Sequence, residues 1–302
     1  MILRLALCLL LVGMSWGTTS GAEGADPPAS ATQVTEVNKS LNAGVDAHEH
    51  SDDKAAVKIW TEGLAKARSL GLTGVTARFL HNLALHNWEG GKYYLALNQD
   101  QEALKLRRSL TDQQAIAQSL NSVGNDYTGL ARYGEALIYY NQALKIEQDG
   151  KFESDLTDTL TNIGNIYLYS GQWTQAEKTY KQALENYHGL HDKDSILDVR
   201  INLGFLYGQM GRVDEAILYL KGVLAEIPSG HKSARSNTLN HLGNIYFAQG
   251  NYTVALDDYT EALALARSID AQDEWAKCLN NIAGVYAQTA QFAQSEEYYL
   301  QA

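Results

Sequence analysis

Val123-Gly124-Asn125-Asp126-Tyr127 returns 40 residues later as Ile163-Gly164-Asn165-Ile166-Tyr167. It returns again as Leu203-Gly204-Phe205-Leu206-Tyr207 and as Leu242-Gly243-Asn244-Ile245-Tyr246. Weaker copies stand at Ala43-Gly44, Leu83-Ala84 and Ile282-Ala283. The small residue therefore falls at 44, 84, 124, 164, 204, 243 and 283, in steps of 40 with a single step of 39. Seven units in register mark a repeat architecture, in which each unit buries its apolar face against its neighbours. The 302 residues are then one solenoid rather than the two or three globular domains that length alone would suggest.

Each unit carries further landmarks. Twelve residues after the small residue stand Ala56, Ala96, Ala136, Ala176, Ala216, Ala255 and Ser295. Four further on an aromatic recurs, as Trp60, Tyr140, Tyr180, Tyr259 and Tyr299, but Asp100 and Leu220 break the series. Three beyond that the residue is again small or medium: Gly63, Ala103, Ala143, Ala183, Val223, Ala262 and Ala302. Spacings of three and four define one face of a helix. Small residues on each of two helices permit close packing, and the aromatic fills the remaining gap. Each unit reads as helix A, a tight turn, helix B and a connector. Gly91, Gly171, Gly211 and Gly250 fall at the A–B turn, where a helix C-terminus favours glycine. In the third unit the pattern predicts helix A from about residue 118 to 129 and helix B from about 134 to 148.

These landmarks resemble the tetratricopeptide repeat (TPR): small residue at position 8, Tyr at 11, aromatics at 17 and 24, Ala at 20 and 27. Position 17 is Tyr93, Tyr133, Trp173, Tyr252 and Phe292. The 40-residue period is similar to the longer-helix variety of kinesin light chains and bacterial arrays. The family's proline at position 32 occurs only as Pro228, in the unit followed by the 39-residue step. The resemblance covers residues 37–302 and implies an all-α, right-handed superhelical solenoid of antiparallel helix pairs. Twelve of the 18 tyrosines occupy positions 11, 17 and 24, so the tyrosine excess is explained as repeat packing.

Composition narrows the function. Lys and Arg number 24 against 35 Asp and Glu, a net charge of −11. A phosphate-binding protein needs a basic face, so nucleic acid and anionic membrane surfaces are not expected partners. Arg4, the apolar run Leu5 to Trp16 and Ser20-Gly21-Ala22 have the layout of a secretory signal peptide cleaved after residue 22. The apolar run is too short to favour a permanent span, although a membrane anchor retained through an uncleaved signal is the alternative. Export to the periplasm or the exterior follows. Residues 23–36, with Pro27-Pro28, read as a flexible linker. Beyond the signal only Cys278 remains, which excludes an internal disulfide and reads as a small buried apolar group.

No catalytic motif is present, so no catalytic residue, cofactor or metal site is expected and the chain reads as a non-enzyme. Gly230-His231-Lys232-Ser233 lacks the upstream glycine of a phosphate loop. His48 and His50 point to different sides of a helix, and His81 and His86 are poorly spaced for one ion.

The TPR resemblance implies that helix A positions 2, 5, 9, 12 and 13 line a concave groove. Asn121, Asn125, Asn165, Asn240, Asn244 and Asn280 fall at positions 5 and 9. Asparagine is a mediocre helix former, so this enrichment suggests a ladder of amides that could match a peptide backbone. Position 6 repeats asparagine as Asn42, Asn82, Asn162, Asn202 and Asn281, where bonding between neighbouring repeats is the expected role. Phe205, Phe247 and Tyr169 would join the groove, and apolar groups beside amides suit a peptide or protein partner. The leading expectation is a scaffold that binds a protein or peptide in its groove. The alternative is the N-terminal regulatory region of a larger enzyme-bearing protein, such as one with a caspase-like (CHAT-type) peptidase. The seventh unit stops at position 27, which raises both that alternative and self-association through the open last repeat.

Overall fold

The computed structural model describes residues 29–190 and 193–302. The signal segment lies outside the described residues, as do residues 23–28 of the expected linker. Fourteen helices, and no strand, occur among the described residues. They follow one another as the A and B helices of seven repeats: α1 Ala31–Glu49 and α2 Asp53–Ser69, α3 Thr73–Glu89 and α4 Tyr93–Arg108, α5 Gln113–Gly129 and α6 Tyr133–Gly150. Then come α7 Glu153–Tyr169 and α8 Trp173–Leu190, and α9 Lys193–Gln209 and α10 Val213–Glu226. The last pairs are α11 Lys232–Ala248 with α12 Tyr252–Ser268, and α13 Gln272–Gln288 with α14 Phe292–Gln301. The chain divides into two compact units, one ending at Ile166 and the other running from Tyr167 to Ala302.

Two sequence boundaries are corrected. Residues 31–36 are helical rather than linker. Ser30 caps α1 by accepting from the Gln33 amide, while the Gln33 side chain accepts from the Ser30 amide, a complete capping box. In the third repeat helix A starts at Gln113, five residues earlier than the landmarks implied, because Asp112 accepts from the Ala115 amide and sets the start.

All seven A–B turns are built alike. The last residue of each connection, immediately before helix B, returns its amide to a carbonyl five residues earlier: Asp52 to Ala47, Lys92 to Asn87, Arg132 to Tyr127, Gln172 to Tyr167, Arg212 to Tyr207, Asn251 to Tyr246 and Gln291 to Tyr286, at 2.8–2.9 Å. This bond closes a Schellman turn and needs one left-handed residue. Gly91, Gly171, Gly211 and Gly250 supply it with φ of +72° to +76°, while Ser51, Ala131 and Ala290 supply it at a steric cost. Between repeats five and six the connection differs. Ile227, held extended at ψ 121° by the following Pro228, stops α10 at Glu226 and accounts for the short step.

In the first, third and sixth repeats the aromatic of helix B lies directly on the glycine of helix A. A methyl group on Gly124 would stand 2.5 Å from the Tyr140 ring, and one on Gly243 would stand 2.5 Å from Tyr259. Gly44 meets Trp60, and Gly204 meets Leu220, in the same way. Trp60, Tyr140, Tyr180 and Tyr259 are the largest fully buried side chains. The alanines from Ala56 to Ala255 at the second landmark are also fully buried. Ser295 takes that place in the seventh repeat and donates its hydroxyl to the Ala283 carbonyl at 3.0 Å. In the second repeat Ala84 replaces the glycine, and its partner is the short Asp100, not an aromatic ring.

Candidate functional site

Consecutive A helices are tied by polar side chains at a regular sequence offset. In the first unit Arg78 donates to Asn38, Trp88 to the Asn125 carbonyl, Gln114 and Gln118 to Asp155, and Asn121 to Thr159. In the second unit Ser233 donates to Glu274, Asn240 to Cys278 Sγ, and Asn281 to Asn240. Every one of these pairs is separated by 37–41 residues. The offset is one repeat, adjusted by about one residue or one helical turn, so the repeat register dictates which side chains meet.

The asparagines divide by position. At position 9, Asn125 Oδ1 accepts from the Tyr140 hydroxyl at 2.6 Å, and Asn244 Oδ1 accepts from Tyr259 at 2.7 Å. Each amide is therefore locked by the core aromatic of its own repeat, and the bond leaves the Nδ2 edge unused. Asn165 is buried at the same position. At position 5, Asn121 gives its amide hydrogens to Glu147 at 2.9 Å and Thr159 at 2.6 Å, so it ties two repeats together. Asn240 is held between Cys278 and Asn281, again across a repeat boundary, and Asn281 plays the expected position 6 role there. Asn280 is exposed. Phe205 is half-buried against the His241 ring at 4.5 Å, Phe247 meets Tyr252 edge-on at 5.5 Å, and Tyr169 is exposed. Asn121, Asn125 and Asn165 belong to the first unit and the other six to the second.

Sequence reading missed the buried charges on these faces. In the first unit Asp100 and Asp126 are both buried, His81 Nδ1 lies 3.1 Å from Asp100 Oδ1, and Ser122 Oγ reaches the same nitrogen at 3.4 Å. Burial, and then Asp100 beside it, push Asp126 far above the ordinary carboxylate range, so Asp126 is protonated at neutral pH. Glu147 is completely buried; loss of water raises it to about 7, against the opposing bonds from Thr159 and Asn121. Arg107 occupies the same place one repeat earlier and donates to the Ala115 carbonyl and Ser119 Oγ. In the second unit burial lowers His241 to about 4, so its ring is neutral. Cys278 is buried with its thiol raised by desolvation and stays protonated, as its apolar reading required. Asp100 and Ser122 both address the same ring nitrogen of His81, which is not the relay of a hydrolytic triad.

A second group lies at the end of the first two repeats. His48 Nε2 is 3.2 Å from Glu89 Oε2 and its Nδ1 is 2.9 Å from Asp53 Oδ1. The Glu89 bond, opposed by burial and supported by Asp53, raises His48 to about 9. His86 stands with its ring centroid 6.0 Å from that of His48. Comparing histidines within single helices, as the sequence pattern invites, does not pair these two.

The architecture defines a helical-repeat protein with no strand or phosphate loop among its described residues. The tetratricopeptide repeat profile matches residues 75–149, 155–225 and 234–302, and the chain belongs to that family. No curated protein matches the sequence. Among solved structures, the aspartyl phosphate phosphatase F of Bacillus subtilis aligns with a TM-score of 0.73 at 14% identity, over 89% of this chain and 70% of its own. NprR in complex with its cognate peptide NprX aligns at 0.62 and 16%, over 87% and 74%. The near-identical repeats of a Podospora anserina kinesin light chain align at 0.51 and 19%, over 63% and 95%. At these identities the likeness is one of fold. No described helix is long and apolar enough to cross a membrane.

Proposed function

We propose that the chain is a non-catalytic scaffold that holds a peptide or an extended protein segment against its A helices. The observation that carries this reading is the repeated Asn–Tyr lock. Asn125 and Asn244 stand at the same repeat position, and each is fixed through its oxygen by a buried tyrosine. A fixed amide has little rotamer entropy left to lose on binding, and its unused hydrogens suit the carbonyls of an extended backbone. Phe205, Phe247 and Tyr169 add apolar contact in the second unit. A solved structure of the same fold, NprR, is described with a bound peptide, which supports the class of ligand. Export through residues 1–22 is part of the proposal and rests on Arg4, the Leu5 to Trp16 run and Ser20-Gly21-Ala22.

The test is selection of binders from a random peptide library on the purified chain, followed by amide hydrogen exchange with and without the best binder. Protection should fall on helix α5 around Asn125 or on helix α11 around Asn244. Protection confined to the B helices, or no saturable binder, would overturn the reading.

A further inference from the structure

We propose that His48, His86 and Glu89 form a binding site for a divalent transition ion of the zinc class, with Asp53 as the outer carboxylate that orients His48. The three residues each offer one ligand atom, all within 4.8 Å of one another. His48 Nε2 and Glu89 Oε2 are separated by 3.2 Å. With metal–ligand bonds of about 2.1 Å, the edge of a tetrahedron is about 3.4 Å, so this pair already spans it and, from the 4.8 Å bound, His86 has to close by at most about 1.4 Å.

The chemistry of the donors is that of a borderline divalent ion. Imidazole nitrogen and carboxylate oxygen suit zinc, whereas calcium and magnesium ask for oxygen ligands alone. Binding of the ion would release the Nε2 proton that His48 shares with Glu89; with both rings then neutral, Glu89 and Asp53 carry two negative charges, which a divalent cation balances. The outer shell is present as well. Asp53 Oδ1 lies 2.9 Å from His48 Nδ1, on the side of the ring away from Glu89. A carboxylate in that place fixes the tautomer that turns the bare Nε2 to a metal. His86 Nδ1 is 3.9 Å from the same carboxylate oxygen. Trp60 packs against the His48 ring at 5.6 Å and holds its plane. The side chains of His48, His86 and Glu89 are 14%, 21% and 22% exposed, so the site is walled by protein yet reachable by an ion and by a fourth, water ligand.

The repeat register explains why these residues meet. His86 follows His48 by 38 residues and Glu89 follows it by 41. Those are the offsets that join Asn240 to Cys278 and to Asn281 on later A helices. His86 and Glu89 are three apart, on one face of the last turn of α3. Asp53, the first residue of α2, reaches in from the turn that follows α1. A bound ion would therefore staple the ends of three helices and fix the angle between the first two repeats.

The test uses the tag-free purified chain, titrated with zinc chloride by calorimetry and with cobalt chloride by visible absorption. One equivalent should bind, and cobalt should give the intense bands of a four- or five-coordinate site. Zinc should bleach those bands, while magnesium and calcium should not. His86→Gln and Glu89→Gln should each weaken zinc binding by at least 100-fold, Asp53→Asn by about 10- to 100-fold, and His50→Ala, on a neighbouring exposed histidine, by less than twofold. Circular dichroism establishes that each variant is folded; Glu89 and Asp53 are partly exposed, so their conservative changes keep the fold even if His86→Gln does not. Absence of stoichiometric binding would overturn the proposal. Equal affinity in the Glu89→Gln, Asp53→Asn and parent chains would do the same.

Discussion

Replacing Gly124 with alanine sets two effects of opposite sign against each other. In a helix interior alanine is favoured over glycine by about 1 kcal/mol, so propensity alone makes Gly124→Ala stabilising. The packing says otherwise. The new methyl would stand 2.5 Å from the Tyr140 ring, and ordinary contact needs at least 3.4 Å. The ring cannot retreat freely, because its hydroxyl donates to Asn125 Oδ1 at 2.6 Å and lies 3.1 Å from Thr128 Oγ1. Overpacking costs about 1–3 kcal/mol, and loosening the hydroxyl bonds adds about 1 kcal/mol. The expected net effect is destabilisation by about 1–3 kcal/mol. In a Tyr140→Ala background the obstacle is gone, and the same Gly124→Ala change should stabilise by up to about 1 kcal/mol. Urea unfolding of the four chains of this cycle, followed by circular dichroism, measures the coupling directly. The second repeat has already made the paired change, with Ala84 opposite Asp100. If Gly124→Ala raises stability in the parent chain, or costs the same with and without the Tyr140 ring, the close-packing argument is wrong.

Glu147→Gln tests the buried carboxyl. The folded-state value of about 7 lies above the ordinary 4.5, so the contribution of Glu147 is fully present below pH 4.5 and is lost as pH rises through 7. The loss amounts to at most roughly 3 kcal/mol; the Glu147→Gln variant should lack it and be more stable than the parent at pH 8 in urea titrations. His241 behaves oppositely. Its folded value of about 4 is depressed, so its contribution is present above pH 6.5 and lost as pH falls through 4, and its ring resonances in NMR should stay neutral down to about pH 5. Arg107→Met removes a buried cation and its bonds to Ala115 and Ser119, and should lower the urea midpoint by an amount equivalent to about 2–4 kcal/mol. Ala131→Gly relieves a left-handed residue at φ +56° and should raise thermal stability by about 0.5–1 kcal/mol in calorimetry.

The repeat number, the alternation of A and B helices, the turns and the buried landmarks are legible in the order of residues alone. These are local or periodic properties. A period of 40 with spacings of three and four leaves one packing solution, and it recurs seven times. The first helix start was less legible, since the capping box at Ser30 and Gln33 lies outside the landmark pattern. The tertiary structure decided what the polar residues do. Asn121 and Asn125 look alike in sequence, yet one ties two repeats and the other is locked within its own. Asp100 reads as a gap in an aromatic series, but in the fold it is part of a buried acid pair with Asp126 beside His81. His48, His86 and Glu89 are separated in the chain and converge only through the stacking of the first two repeats. A polar side chain's role is set by the partner opposite it, and across stacked helices that partner lies one repeat away. Local pattern is blind to it until the register of the stack is known.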